Sequence, residues 1–373
     1  MQIPRFDMER WQSIWEHRLE LNISESGVLP MTTEELLADP DELQRLMDVP
    51  LIYPPTQGGE ELRAGIASMY NGASAGNVLA TTGCAEANFL TVMSLLEPGD
   101  EVVCMQPNYM QVPGMARALG ATVKPLWLRE ELRWAPDLDE LQRLLTPRTK
   151  LVAICNPNNP TGAVLGEEAL ERICAEAARV GAWVLADEVY RGAEFDGAMT
   201  PSFWGRYERV LCTGGLSKAY GLPGLRTGWV VAPEKMVEKL WSNKDYTTIG
   251  ATLLSDRLAA AALEPARRAR IFERTRRILR QNYPVVRDWV KRHGAGLRHI
   301  APAAGAIAWV GYEWKRPSAE LAEEMRAHKG VLIVPGMQFE MESYLRIGFG
   351  YDAGHLERAL GRLDEMTAVA ASA

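Results

Sequence analysis

Short apolar runs alternate along this chain with longer stretches whose apolar residues recur every three or four positions. The spacing predicts strands at 78–81, 101–105, 122–126, 150–155, 183–186, 210–213 and 229–232. Helical periodicity fills the intervals; over 167–180 it sets Ile173, Ala177 and Val180 on one face. Strand and helix in strict alternation predict a largely parallel sheet with right-handed crossovers. Beyond about residue 235 the pattern changes. Long helices at 252–263 and 266–292 lead to short strands at 307–310, 331–334 and 344–349 and a closing helix. Before the first strand, Trp11 and Trp15 share a helical face, and the polar stretch 22–32 ends that helix. Thr32 or Thr33 can cap the next one, with Glu35 three residues after Thr32. The expected organisation is an N-terminal arm at 1–45, a large domain at 46–245 and a smaller α+β domain at 246–373.

Composition narrows the class. A chain of 373 residues, 47% hydrophobic and 24% charged, is that of a globular protein with room for a large core. A formal charge of -7 offers no basic surface, so nucleic acid is not an expected partner. The arginine run from Arg267 to Arg280 reads as a solvated, salt-bridged helix face. No apolar run is long enough to span a bilayer, and the first residues do not read as a signal peptide, so no membrane contact is expected. Five scattered cysteines without a C-x-x-C pair predict reduced thiols in the cytoplasm, and no metal site is expected.

Candidate chemistry sits at the strand ends. The run 210–213 breaks at Gly214-Gly215 and delivers Ser217 and Lys218 into a turn too rich in Gly and Pro to be helical. A lysine desolvated beside a sheet gives up its proton more readily, as a Schiff-base nucleophile must; a solvated turn lysine is the plainer reading. Strand 78–81 runs through Thr82 and Gly83 into an apolar helix. The first amides of that helix, at Cys84 and Ala85, point at any approaching anion, and Arg226 would add a full charge toward a phosphate. Tyr109 follows a strand end, where it can stack on a flat heteroaromatic ring or simply pack. Asn156-Pro-Asn-Asn-Pro-Thr-Gly162 is a turn by local chemistry, and Tyr53 before two prolines reads as a half-buried turn residue. Asp187 closes an apolar strand; such a carboxylate caps a helix or pairs with a buried cation. Arg346 lies mid-strand and needs an anionic partner, either an internal ion pair or a substrate carboxylate.

Ser217-Lys-Ala-Tyr-Gly-Leu-Pro-Gly-Leu-Arg-Thr-Gly228 resembles the cofactor-lysine signature of the class I and II aminotransferases, and other stretches agree in family order from about residue 22 to 350. The resemblance implies an α/β chain of fold type I, with a mostly parallel seven-stranded sheet, a smaller α+β domain and pyridoxal 5'-phosphate as cofactor. It implies that Lys218 carries the cofactor and acts as general acid and base, and that Asp187 pairs with the pyridinium nitrogen. Tyr109 would stack on the ring, while Asn159 and Tyr190 reach its phenolic oxygen. Thr82, Gly83, Cys84, Ala85, Ser217 and Arg226 would hold the phosphate, with Cys84 acting through its backbone amide. Tyr53 would reach a neighbouring subunit's phosphate in a homodimer. Arg346, Asn159 and Gly27 would receive the substrate carboxylate. The implied activity is ping-pong transfer of an amino group from an L-amino acid to a 2-oxo acid.

Two positions depart from the family pattern. Gly215 stands where a phosphate-binding serine is usual, and Glu340 replaces the second glycine of a Gly-x-x-Phe-Gly turn expected near the substrate mouth. Ile23-Ser-Glu-Ser-Gly-Val28 and Lys244-Asp-Tyr246 resemble the capreomycidine synthases, so cyclisation or β-elimination on the same frame is the alternative activity. A non-catalytic scaffold is disfavoured because Lys218 and Asp187 are both present. The stretch 245–255 holds no second arginine for a dicarboxylate, which points to a neutral or basic amino donor.

Overall fold

A computed structural model of the chain describes residues 2–37 and 39–370. Its largest sheet has seven strands in the order Val78–Thr81, Gly228–Val231, Val210–Gly215, Trp183–Asp187, Thr149–Cys155, Glu101–Gln106, Thr122–Trp127. Gly228–Val231 runs antiparallel to both neighbours, and every other pairing is parallel. Side-chain alternation splits these strands between two cores. Val103, Val152, Val184 and Cys212 face one, while Val102, Leu151, Leu185 and Leu211 face the other. Helices cover both faces. Gly83–Leu95, Gln111–Ala118 and Glu234–Lys244 pack on the second core, and Glu167–Val180 on the first through Leu170, Ile173 and Ala177.

A second sheet, antiparallel, orders Val334–Pro335, Tyr344–Gly348, Ile307–Tyr312 and Leu297–His299. A third is a short parallel pair that joins Leu21–Asn22 to Val331–Leu332. The helix Pro265–Arg292 carries the arginine run, which is salt-bridged as expected but also ties distant segments together. Arg267 meets Glu42 at 2.6 Å, and Arg274 donates to the Leu29 carbonyl at 2.8 Å. Thr32 and Glu35 cap each other's backbone amides in both directions at the start of Thr33–Leu37. No described helix is long and apolar enough to cross a membrane.

One expectation about the sheet needs correction. Gly214 and Gly215 do not end their strand; both stay in register, opposite Trp229 and Gly228. Glycine is needed because a β-carbon at Gly214 would lie 2.7 Å from the Trp229 indole. At Gly215 a β-carbon would press on the Thr227 carbonyl at 3.1 Å, so the family's serine would crowd this sheet edge. The two glycines thin the sheet without breaking its ladder.

Candidate active site

The strands ending at Gln106, Cys155, Asp187 and Gly215 are parallel, so the residues that follow them emerge along one edge of the sheet. Open α/β sheets bind ligands at that edge. The two antiparallel pairings restore the direction of Val78–Thr81, which brings Thr82 and the start of Gly83–Leu95 to the same edge. There a cavity of about 420 Å³ is walled by Cys84, Ala85, Tyr109, Asn159, Asp187, Tyr190, Ser217, Lys218, Arg226 and Arg346. Gly27 lies just behind Lys218: a β-carbon there would stand 3.6 Å from Lys218 Cδ. Tyr53 does not join the cavity; it is 87% exposed on the surface.

The anion cradle is built from close backbone approach. A β-carbon at Gly228 would overlap the backbone of Gly83 and Cys84, so only glycine lets the helix N-terminus sit on the sheet. Gly83 turns with φ at +79°, and a β-carbon there would lie 2.6 Å from the Arg226 guanidinium. Arg226 therefore stands over the first helical turn, whose amides lack intrahelical acceptors. Glu86 secures this turn: it accepts from the Thr82 amide at 2.6 Å and from the hydroxyls of Thr247 and Thr248 at 2.6 and 2.7 Å.

Asp187 is held by three donors. Asn88 Nδ2 donates to Oδ2 at 2.9 Å, the Val189 amide donates to Oδ1 at 3.1 Å, and the Cys84 thiol lies 3.6 Å from Oδ1. Thr213 in turn donates to Asn88 Oδ1 at 2.8 Å, completing a buried chain. Burial raises the Asp187 carboxyl above its ordinary range, and the Asn88 hydrogen bond works against that rise. Burial also pushes the Cys84 thiol well up, as suits a residue that offers its backbone rather than its sulfur. Glu188, beside Asp187, points away from the cavity and receives Ser202, Phe203 and Arg191.

Arg346 is 1% exposed and donates to Asn159 Oδ1 at 3.0 Å and to the Ser24 carbonyl at 2.6 Å. Among the described residues no carboxylate forms an ion pair with it, and its buried Nε has no acceptor. A planar guanidinium on a cavity wall, its charge countered only at a distance by Glu25 and Glu9, suits a ligand carboxylate. With Asn159 Oδ1 accepting from Arg346, the Asn159 amide hydrogens are the donors that remain for another oxygen. The turn around it is locked, since Thr161 donates to Asn158 at 2.7 Å and Leu165 to Asn156 at 2.9 Å. Tyr190 donates to Ser26 at 2.9 Å, and Tyr109 to Glu9 at 2.9 Å.

Lys218 departs from expectation. Burial lowers its affinity for a proton, but Glu25, with Oε1 at 2.7 Å, and Tyr190 act against that, and the ammonium is held above the ordinary lysine range. Glu25 is driven the other way, to about 2, chiefly by the Lys218 charge. Glu340 also differs from expectation. It bonds Arg117 at 2.9 Å in a neighbouring groove with the N-terminal residues Ile3 to Asp7, outside the cavity wall. Glu9, Glu16, Glu25, Ser26 and Asn88 line the cavity without having been singled out. Asn88 shows in the sequence as a polar residue inside the apolar helix Gly83–Leu95, and Glu25 and Ser26 only as members of the stretch Ile23–Val28.

Lys218 beyond a strand end, the buried carboxylate of Asp187, the start of Gly83–Leu95 beneath Arg226, and the buried Arg346 thus meet around one cavity at the sheet edge. The profile described as aminotransferase class I and II matches residues 34–363, and the chain belongs to that family. Capreomycidine synthase from Streptomyces vinaceus is 35% identical over 369 residues, covering 97% of this chain and 94% of that one. Arginine–pyruvate transaminase from Pseudomonas aeruginosa is 29% identical over 321 residues, covering 83% and 81%. A crystal structure of a pyridoxal-phosphate-dependent aminotransferase from Streptococcus suis superposes with a TM-score of 0.93 at 34% identity, over 99% of each chain. The protein is a pyridoxal-phosphate-dependent aminotransferase of fold type I.

Proposed function

We propose that the chain transfers an amino group from an L-amino acid with a neutral or basic side chain to a 2-oxo acid, by ping-pong kinetics, with pyridoxal 5'-phosphate held in this cavity. The observation that carries the reading is the presence of Lys218, Asp187 and the unpaired Arg346 on the walls of one cavity. The donor set fits the cofactor: the glycine-thinned cradle with Arg226 suits a phosphate, and Asp187 suits a protonated ring nitrogen. When bound, the cofactor supplies an electron sink for charge developing at the substrate Cα.

The residues divide the remaining work. Lys218 anchors the cofactor and then moves the proton at the substrate Cα. Asp187, steadied by Asn88, keeps the ring nitrogen protonated, and Tyr109 packs against the ring. Asn159 would donate toward the phenolic oxygen, and Tyr190 would join it once its hydroxyl turns from Ser26. Cys84 and Ala85 offer amides to the phosphate beside Thr82, Gly83, Ser217 and Arg226. Arg346, with Asn159 and Gly27, orients the substrate carboxylate.

Charge on the walls supports the donor class. Once Arg346 meets a substrate carboxylate, Glu9, Glu16 and Glu25 face the same space and repel a second acidic group. The likeness to an arginine–pyruvate transaminase agrees with a basic donor. A homodimer is supported by apolar surface around Met47, Leu51, Ile52 and Tyr53, which are 73%, 83%, 65% and 87% exposed. In such a dimer Tyr53 would reach the partner's phosphate. Residues 46–245 would form the cofactor-binding body, and 1–45 with 246–373 the smaller part. All five cysteines are free, which suits the cytoplasm.

The test is an absorbance spectrum of the loaded protein with single amino acids added in turn. Transamination converts the visible band of bound cofactor to that of its amine form, and a 2-oxo acid restores it. A spectral change that never reaches the amine form would replace this reading with cyclisation or elimination, the activity favoured by the likeness to capreomycidine synthase.

A further inference from the structure

We propose that Glu25 is the counter-ion of Lys218 Nζ, a positioning residue that keeps this amine charged and fixed in the cavity whenever it is not covalently engaged. The proposal rests on the reading that Lys218 carries the cofactor. Glu25 Oε1 accepts from Lys218 Nζ at 2.7 Å, and also from the backbone amides of Ser26 and Gly27 at 2.8 and 2.9 Å. The carboxylate is therefore placed by backbone and not by a free choice of rotamer. Its loop is anchored on both sides: Ile23 donates to the Leu332 carbonyl at 3.0 Å, and Leu29 to the Gly350 carbonyl at 2.8 Å.

The other groups facing Lys218 do not take this role. Tyr190 bonds Ser26, and burial holds its phenol neutral; Tyr351 is likewise kept neutral by burial. Arg346 carries the same charge as Lys218 and opposes its ammonium. Asp187 is engaged by Asn88 and Val189, the Cys84 thiol is held neutral, and Arg226 stands over Gly83. Glu9 and Glu16 line the cavity, but Lys218 is paired with Glu25. While Lys218 is charged, that charge holds Glu25 as the anion. A proton that Lys218 takes from the substrate Cα stays on Nζ, beside the carboxylate, until Nζ delivers it. Glu25 thereby favours Lys218 as a proton acceptor and slows its return to the neutral amine.

Capture of pyridoxal phosphate by the full chain, stripped of cofactor, reports the neutral amine without reference to turnover. Its rate would be followed by absorbance across pH for the wild type, Glu25→Gln and Glu25→Asp. Removing the anion makes the amine easier to deprotonate. The Glu25→Gln midpoint should therefore fall by about one pH unit or more, giving roughly tenfold faster capture below both midpoints. Glu25→Asp should retain most of the wild-type midpoint. Coincident midpoints for wild type and Glu25→Gln would overturn the proposal. So would a Glu25→Asp chain that folds and behaves like Glu25→Gln. A wild-type chain that captures no cofactor at any pH would instead overturn the proposed function on which this inference rests.

Discussion

Asn88→Leu would remove the amide that joins Thr213 to Asp187, while keeping side-chain volume nearly constant. Two hydrogen bonds are lost, at 2.8 and 2.9 Å, inside a helix packed against the sheet. The bond to the carboxylate is worth about 1.5–3 kcal/mol, and leaving the buried Thr213 hydroxyl unpaired costs about 1–3 kcal/mol. Added apolar contact recovers about 1–2 kcal/mol, so the net loss should be about 2–4 kcal/mol. The loss should also depend on pH. Burial already holds Asp187 above its ordinary range, and without Asn88 it rises further. A carboxyl raised on folding binds protons more readily in the folded state, so stability falls as pH climbs from the unfolded value through the folded one. The deficit should be smaller in mild acid and fully developed near neutrality. Urea unfolding of the cofactor-free chain at both pH values measures it, and titration with pyridoxal phosphate should show weaker binding. A deficit below about 0.5 kcal/mol at neutral pH, with unchanged affinity, would refute the claim that Asn88 steadies Asp187.

Further tests address the other walls. Arg346→Lys keeps the charge but loses the planar fork, and should lower kcat/KM for the amino donor by roughly 10²–10³-fold, about 3–4 kcal/mol, while cofactor affinity holds. Equal donor reactivity would show that the carboxylate binds elsewhere. Gly228→Ala forces the helix N-terminus off the sheet at an overpacking cost of about 1–3 kcal/mol, and pyridoxal phosphate should bind more weakly by equilibrium titration. Lys218→Ala should leave no cofactor mass on the chain after borohydride reduction; a retained adduct would move the attachment site.

Much of this architecture was legible because its signals are local. The helix Glu167–Val180 follows from its periodicity alone, and the strands fall within a residue or two of their apolar runs, except that 331–334 splits into Val331–Leu332 and Val334–Pro335 in two different sheets. Gly214 and Gly215 read as a break because glycine at a strand end usually ends it; the indole of Trp229, which forbids any larger residue there, is visible only across the ladder. Site residues that follow strand ends were likewise legible from chain order. Those that act across the fold were not. Glu25 lies 193 residues from Lys218, and nothing in the stretch 22–32 announces a buried ion pair. Without Glu25, burial gave the wrong sign for Lys218. Glu340 adopts a left-handed conformation where glycine is usual, and its partner Arg117 turns it into the neighbouring groove.

The pairing of Leu21–Asn22 with Val331–Leu332, and of Ile23 with Gly348, has a consequence for the order of biosynthesis. The segment that supplies Glu25 leaves the ribosome well before its docking strand, which is made some 310 residues later. At ~5–20 residues per second that interval is roughly 15–60 s. The large sheet, complete once Val231 has been made, can form while the amino-terminal strand still lacks its partner. The nascent chain thus has its lysine and the glycine-thinned turn beside Arg226 in place before the segment that carries Glu25 is docked.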